Sequence, residues 1–203
     1  KNAEFSNVPV GSHLIVFAGV ADSIIENCVF HGYGDGSMTE EEPKEAVQLD
    51  IPHSIEMVPT LQGDVVKWND LPCKNITITG CEFYDFSRAI GSHLAVQGVY
   101  HEGIVISNNT MRDMDETAIK LFNYKDTTVS NNRITGGTEA ILVYTKLQDA
   151  KEEDCLQPLS GVVPKEPESF NIVISENEIS DVKSDGKVYG DAIRISAAEE
   201  FPM

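Results

Sequence analysis

An aspartate and two histidines are the residues whose types and spacing most indicate chemistry. The cassette GSHL occurs at 11–14 and again at 91–94, which gives His13 and His93 equivalent places in the chain, with Asp50 between them. A carboxyl group between two imidazoles is a set that general acid–base catalysis uses. The alternative is that the cassette forms a turn whose serine and histidine satisfy backbone groups.

Asp50 is the first candidate for a catalytic carboxyl group, because it ends a strand-like phrase at the root of a long insertion. Glycoside hydrolases need a second carboxylate, about 5–5.5 Å away in retaining enzymes and about 6.5–9.5 Å away in inverting enzymes. We expect Asp64 or Asp70 to supply it, and Asp35 is a further candidate. The other interpretation of Asp50 is a structural aspartate that accepts hydrogen bonds from loop amides.

Several side chains around Asp50 have the chemistry to bind a saccharide. The only tryptophan, Trp68, offers either a flat ring for stacking on a sugar or a plug that holds its loop on the core. Lys120 and Arg194 either hold anionic groups such as uronate and sialate or pair with surface acids. The residues that we expect to contact substrate are Gln48, His53, Trp68, His93, Lys120, Tyr144 and Arg194.

A repeated phrase shows which elements must carry these residues. It occurs as SIIENCVF (23–30), ITITGCEF (76–83), IVISNNTM (104–111), TTVSNNRI (127–134) and IVISENEI (172–179). Its apolar positions alternate with period two and are rich in β-branched residues, as in strands. Only 23 residues separate Asn109 from the equivalent Asn132, which is too short for a strand–helix–strand unit.

A unit of this length matches one coil of a parallel β-helix, an all-β solenoid in which equivalent residues of successive coils lie above one another. We predict a single-stranded helix of about five to six coils over residues 1–203, with an inward ladder of Asn109, Asn132 and Asn177. A β-sandwich would need hairpin turn signals, which are missing. The chain begins and ends in mid-pattern, so we expect a fragment of a longer helix, incomplete at one or both ends.

A second phrase follows each copy of the first: AVQLD (46–50), AIGSH (89–93), AIKLF (118–122), AILVY (140–144) and AIRIS (192–196). Alternation along these strands predicts two outward columns, which hold Gln48/Asp50, Gly91/His93, Lys120/Phe122, Leu142/Tyr144 and Arg194/Ser196. Loop insertions at 31–44, 51–72 and 146–169 interrupt the coils, and the last two leave the same edge of this sheet. Because insertions in a solenoid often form its binding site, we expect them to wall a groove.

Charge and composition narrow the partners. The formal net charge of −18 argues against nucleic acid and anionic membrane, which bind clustered lysine and arginine. No apolar stretch approaches the ~20 residues of a membrane helix, so we expect no membrane insertion.

Cys28 and Cys81, at equivalent positions, are either buried thiols or a disulfide. A turn at 113–116 carries three acids that either bind Ca²⁺ or are solvated, and we expect no other metal or cofactor.

The columns NITITGCEF, IVISNNTM and DAIRIS resemble the repeat of right-handed parallel β-helices of the pectate-lyase-like superfamily, from about residue 11 onward. The runs EAVQLDIPHS and SRAIGSHLAVQGVYHEGIVISNNT are similar to secreted Gram-positive, glycan-active β-helix proteins of the lacto-N-biosidase type. The polygalacturonase motifs and the lysine–arginine pattern of pectate lyases are not recognisable, so no catalytic residue carries over from those families. Lyases, hydrolases, epimerases and adhesins all use this fold.

We therefore expect a bacterial protein, secreted or anchored at the cell surface, that binds an oligosaccharide or polysaccharide and hydrolyses it. The catalytic candidates are Asp50, Asp64 and Asp70. The alternative is a non-catalytic β-helix module of an adhesin, which binds glycan or protein through the same face. A structural stalk is a third interpretation, and other domains of a longer chain are further expected partners.

Overall fold

Short strands stacked in parallel make up the described part of the chain. The computed structural model describes residues 1–8, 12–33, 45–52, 71–94, 99–145, 170–184, 186 and 190–196. In these ranges the chain visits three sheets in turn and returns to each one level further along, which is the path of a parallel β-helix. The same ranges contain no helix long and apolar enough to cross a membrane.

Three sheets form the sides of the solenoid. Sheet 1 comprises β1 (Glu4–Val8), β4 (Val29–Tyr33), β7 (Glu82–Phe86), β11 (Thr110–Met114), β15 (Arg133–Gly136) and β18 (Glu178–Ser180). Sheet 2 comprises β3 (Ala21–Glu26), β6 (Lys74–Thr79), β9 (His101–Glu102), β10 (Val105–Ser107), β13 (Tyr124–Lys125), β14 (Thr127–Ser130) and β17 (Ile172–Ser175). Sheet 3 comprises β2 (Ile15–Ala18), β5 (Glu45–Asp50), β8 (Arg88–Gly91), β12 (Ile119–Phe122), β16 (Ile141–Tyr144) and β19 (Ile193–Ser196). Sheets 1 and 3 are six strands deep, in agreement with the predicted five to six coils.

The core consists of columns of equivalent apolar residues. In sheet 1, each residue of one column is paired in register with the next, and the column runs through Phe5, Phe30, Phe83, Met111, Ile134 and Ile179. The rings of Phe30 and Phe83 stack with centroids 4.8 Å apart, which is the spacing of neighbouring strands. The period-two apolar pattern of the sequence therefore becomes a continuous core along the solenoid axis.

The predicted asparagine ladder is present at the corner between sheets 2 and 1. The side-chain oxygen of Asn132 accepts hydrogen bonds from both the backbone N–H and the side-chain amide of Asn109, each at 3.0 Å. The side-chain oxygen of Asn177 likewise accepts from the backbone N–H of Asn132 at 3.0 Å and from its side-chain amide at 2.9 Å. Cys28 and Cys81 continue the ladder as buried free thiols, and the Cys81 sulfur accepts the Cys28 N–H at 3.4 Å.

A left-handed residue precedes each ladder position and turns the chain from sheet 2 into sheet 1. These residues are Asn27, Gly80, Asn108, Asn131 and Glu176, with φ from 53° to 65°. Asparagine and glycine adopt this conformation most easily, which explains the recurring N and G in the repeated phrase. At Gly80 a Cβ would lie only 2.5 Å from the Asn27 side-chain oxygen, so a larger residue at this level would have to displace the Asn27 side chain.

The structure corrects one predicted boundary. Residues 31–33 belong to β4, so the insertion predicted at 31–44 begins later than expected, because the strand continues past the apolar phrase. The remainder of that insertion, together with 53–70 and 146–169, lies outside the described residues. At the other end of sheet 3, Ile193 and Ile195 pair in register with Ile141 and Val143.

Candidate functional site

The outward columns of sheet 3 have the predicted composition. Gln48 pairs with Gly91, Gly91 with Lys120, Lys120 with Leu142, and Leu142 with Arg194, so these residues form one continuous row. In the second column, Tyr144 pairs with Phe122 and with Ser196. Near Asp50 this face is not open to solvent, because all six residues of β5 are buried.

The carboxylate between the two histidines is Glu45, not Asp50 as the cassette suggested. Glu45 is the first residue of β5, and its side chain Oε2 is in hydrogen-bond contact with His93 Nε2. His13 Nδ1 donates to the backbone carbonyl of Glu45 at 2.8 Å and lies 3.9 Å from Oε2. The two imidazole rings meet edge to face with centroids 5.3 Å apart. His13 precedes Ile15, which pairs with Val47 near the start of β5. His93 follows Gly91, which pairs with Gln48, and it meets the Glu45 side chain where that side chain passes over Gly91.

Glu45 remains ionised although its side chain is fully buried. Burial raises the pKa of this carboxyl group, but the hydrogen bond and charge of His93, with Arg88 and His13, outweigh burial and lower the pKa. Arg88 lies opposite Glu45 in the sheet register and donates from Nη1 to Glu45 Oε1 at 3.1 Å. Its other terminal nitrogen contacts Glu116, so one guanidinium serves two carboxylates.

Gly91 makes the room that this arrangement requires. A Cβ at this position would lie 2.9 Å from the Lys120 carbonyl oxygen, 3.0 Å from Lys120 Cβ and 3.1 Å from Glu45 Cγ. These distances are too short for ordinary van der Waals contact, so any larger residue would displace the Glu45 side chain or the neighbouring strand. The glycine of the GSHL cassette is therefore a steric requirement of the site.

Asp50 is buried and held by three N–H donors. Its Oδ1 accepts from the backbone of Ile51 and of Leu94, each at 3.1 Å, and its Oδ2 accepts from the Gln48 side chain at 2.7 Å. Burial is the main influence on this carboxyl group and raises its pKa to about 6, although the two backbone hydrogen bonds act in the opposite direction. We call Glu45, Asp50, His13 and His93 the acid–base cluster.

A second buried polar group lies close to the same strand end. Ser92, which the sequence placed inward, donates to the Leu49 carbonyl at 2.6 Å and shares a hydrogen bond with the Tyr124 hydroxyl at 2.7 Å.

The backbone N–H of Cys73 donates to His101 Nδ1 at 3.0 Å, so the proton of this imidazole is on Nε2. Burial lowers the pKa of His101 to about 3, so the ring is neutral.

The other predicted substrate contacts lie further along the same face. The Lys120 ammonium lies 4.5 Å from the centroid of the Phe122 ring, and the Tyr144 ring meets Phe122 edge to face at 5.7 Å. Arg194 forms ion pairs with Asp191 at 2.7 Å and with Glu139 at 2.9 Å. These ion pairs are of the kind that the second interpretation of Arg194 describes, and its contact with substrate stays a prediction.

Four predicted site residues cannot be placed. Asp64, Asp70, His53 and Trp68 lie outside the described residues, as does Asp35. Among the acids considered for Ca²⁺, Asp113 accepts a hydrogen bond from Arg112, and Glu116 forms an ion pair with Arg88. Burial, with the charges of Glu116 and Asp85, raises the pKa of Asp115, the third of these acids.

Sequence reasoning missed Glu45 and Arg88, although a signal for them existed. Each copy of the second phrase begins with alanine, and the residue before that alanine is charged in four of the five copies. These preceding residues are Glu45, Arg88, Thr117, Glu139 and Asp191. Polar residues that recur at one place in a solenoid repeat form a row, because equivalent residues are neighbours.

Comparison with known proteins supports the fold. Residues 70–200, more than half of the chain, match the family model described as a right handed beta helix region. Comparison with curated protein sequences gives no match. The narrower sequence resemblance, to proteins of the lacto-N-biosidase type, stays a prediction.

Two solved structures of the Streptococcus pneumoniae surface protein and adhesin PfbA are similar to this chain. The first is 12% identical, with a TM-score of 0.45, over 97% of this chain and 66% of that one. The second is 14% identical, with a TM-score of 0.37, over 94% of this chain and 60% of that one. The chain thus spans less than two thirds of the length of the PfbA chain in either structure.

Proposed function

Because this chain belongs to the right-handed β-helix family, whose stacked coils present continuous rows of side chains, we propose that it is a carbohydrate-active protein that works on the outward face of sheet 3. It binds an oligosaccharide along this face and hydrolyses a glycosidic bond beside Asp50. The observation that carries the proposal is the grouping of Glu45 with two imidazoles, together with the buried Asp50 on the same strand, whose pKa responds to the charges of His93 and Glu45. The protein acts outside the bacterial cell, secreted or at its surface, as its sequence resemblance implies.

The pKa values of the two carboxyl groups of the cluster are shifted in opposite directions, which supports separate roles in proton transfer. Asp50, with a pKa of about 6, keeps a proton in mildly acidic solution, whereas the pKa of Glu45 is lowered. Environments that push two pKa values apart are typical of acid and base pairs in enzymes. Asp50 is then the proton donor to the leaving oxygen. Glu45 pairs with His93 and so orients its imidazole. The His93 side chain is 29% exposed, so it is the group of this pair that can reach water.

The next levels of the face supply groups for binding sugar. Tyr144 is partly exposed and its ring rests against Phe122, while Lys120 places its ammonium group over the Phe122 ring. An aromatic ring offers a flat apolar surface for the C–H face of a sugar, and a hydroxyl or ammonium group donates to its oxygens. Asp64 and Asp70 remain the sequence candidates for a second catalytic carboxylate, with Glu45 as the candidate that the structure adds.

Binding without hydrolysis is the second candidate, and one observation favours it. Both oxygens of Asp50 already accept hydrogen bonds from N–H groups, and the residue is 2% exposed. Such N–H donors stabilise the ionised form of Asp50, so this residue can hold the loop in place without donating a proton to a substrate. In that case the same face acts as the glycan-binding surface of an adhesin module.

A glycan array followed by a turnover assay separates these candidates. We expect the wild type to bind a subset of glycans and Tyr144→Ala to bind them about two- to tenfold more weakly, since an aromatic contact is worth about 0.5–1.5 kcal/mol. Tyr84→Ala is the matched control, because Tyr84 is a partly exposed strand tyrosine on sheet 1. Equal loss in both variants, or no glycan bound by the wild type, would overturn the proposed binding face.

A further inference from the structure

Three side chains of the acid–base cluster have the types and the arrangement of a metal site. His13, Glu45 and His93 each offer one ligand atom, and these atoms lie within 4.8 Å of one another. In the described ranges of the chain, no other set of three histidine, cysteine or acidic side chains is grouped in this way. We propose that the His13–Glu45–His93 triad binds a divalent transition-metal ion, and that Zn²⁺ is the ion its chemistry fits best.

The hydrogen bond of His13 prepares this imidazole for coordination. Its Nδ1 lies 2.8 Å from the backbone carbonyl of Glu45, which can only accept, so Nδ1 carries the proton and Nε2 carries the lone pair. Histidines that bind metals commonly donate their second ring nitrogen to a carbonyl or carboxylate, which fixes the tautomer and the ring orientation. The backbone of one ligand thus orients the side chain of another.

Glu45 is prepared in the same manner. Arg88 donates to Oε1 at 3.1 Å, which anchors that oxygen and leaves Oε2 directed at the imidazoles. Carboxylates that ligate metals are themselves hydrogen-bonded in this way. His93 Nε2 and Glu45 Oε2 are in hydrogen-bond contact, and a metal ion placed between them would replace the proton of that hydrogen bond.

The charges around the triad favour a cation. Glu45 and Glu116 pair with a single guanidinium, that of Arg88, and Asp50 adds another buried carboxyl group that interacts electrostatically with Glu45. Buried carboxylates are stable only when paired or bound to a cation. A divalent ion at the triad would add positive charge beside these acidic groups.

The ligand set indicates which ion. Two imidazole nitrogens and one carboxylate oxygen suit Zn²⁺, whereas Ca²⁺ and Mg²⁺ are bound through oxygen. Three protein ligands also leave a position for water or for an oxygen of a bound molecule. Gly91 permits the approach of the Glu45 side chain, so the three ligands are held by the packing of the strands. The inference goes beyond the proposed function, because ion binding requires no glycan.

Zinc binding can be measured on the whole chain without any assay of activity. Protein freed of metal by a chelator is dialysed against ZnCl₂ and the bound zinc is counted, with Co²⁺ as a spectroscopic substitute that distinguishes nitrogen and oxygen ligands from thiolates. The variants are His13→Gln and His93→Gln, whose side chains are partly exposed. The matched control is His31→Gln, because His31 forms a 2.9 Å pair with Glu4 on sheet 1 that no third candidate ligand joins among the described residues.

We expect one zinc ion per chain, a Co²⁺ spectrum without thiolate bands, and a loss of affinity of roughly 100-fold or more in each cluster variant. His31→Gln should bind zinc as the wild type does. The proposal is overturned if the wild type binds no zinc at micromolar concentrations, or if either cluster variant keeps wild-type affinity. Circular dichroism of each variant establishes that a loss of zinc is not a loss of fold.

Discussion

The raised pKa of Asp50 makes a quantitative prediction about stability and pH. Burial moves this pKa from 3.8 to about 6, so the folded protein holds the Asp50 proton more tightly than the unfolded chain does. The carboxyl group therefore costs no stability well below pH 3.8, and its cost grows as pH rises and is complete above pH 6. A shift of about two pKa units corresponds to about 3 kcal/mol.

Asp50→Asn removes this cost and keeps the shape of the site. The amide oxygen can accept from Ile51 and Leu94 as the carboxylate does, and the amide N–H₂ can face Gln48 once the Gln48 amide has turned over. Because asparagine does not titrate, the stability difference between variant and wild type should move in favour of the variant as pH rises. Between pH 4 and pH 7 we expect this movement to be about 2 kcal/mol.

Urea unfolding of both proteins at pH 4, 5, 6 and 7 gives the difference directly, because every group that the two proteins share cancels. Asp113→Asn, on an exposed left-handed turn, reports what the removal of one surface carboxylate does under the same conditions. A stability difference that is constant with pH, or that moves in favour of the wild type as pH rises, would refute the assignment of Asp50 as a carboxyl group held protonated by burial.

Three further predictions concern other parts of the fold. Gly91→Ala should displace Glu45 and destabilise the protein by about 1–3 kcal/mol in urea unfolding, as overpacking does; unchanged stability would contradict the contacts described. Asn132→Ala should cost about 3 kcal/mol, because it leaves several buried ladder groups without partners; a cost under about 1 kcal/mol would exclude an essential ladder. Burial lowers the pKa of His101 to about 3, so its neutral form stabilises the fold above pH 6.5 and this contribution is lost as pH falls toward 3. His101→Leu should therefore lose about 1.4 kcal/mol less stability per pH unit over that range than the wild type loses; equal slopes in acid unfolding would contradict a buried neutral ring.

The columns of the solenoid could be predicted from the sequence because equivalent residues of a repeat become neighbours. The ladder of Asn109 and Asn132, and the row from Gln48 to Arg194, follow from alignment of the phrases and from strand alternation alone. Register is set by the hydrophobic pattern, so a correct alignment of the phrases fixes which residues are paired.

The acid–base cluster could be predicted only in part. Both histidines were identified from the repeated cassette, but their carboxylate is Glu45 and not Asp50. The direction of a side chain at a corner depends on the turn and on the room that neighbouring residues leave, such as the space over Gly91. The alternation of strand residues predicts neither of these. The zinc proposal likewise departs from the expectation of no metal, because His13, Glu45 and His93 are too far apart in the chain to form a recognisable ligand motif.

The most direct test of the central claim is the release of reducing ends from glycans that the wild type binds, measured near pH 5.5 with the wild type and Asp50→Asn. If Asp50 donates a proton at the outward face of sheet 3, the wild type releases reducing ends, and the variant binds the same glycans but releases none. The same account predicts that wild-type turnover falls as pH rises above about 6. Equal turnover in the two proteins, or bound glycan that the wild type never cleaves, would contradict catalysis by Asp50.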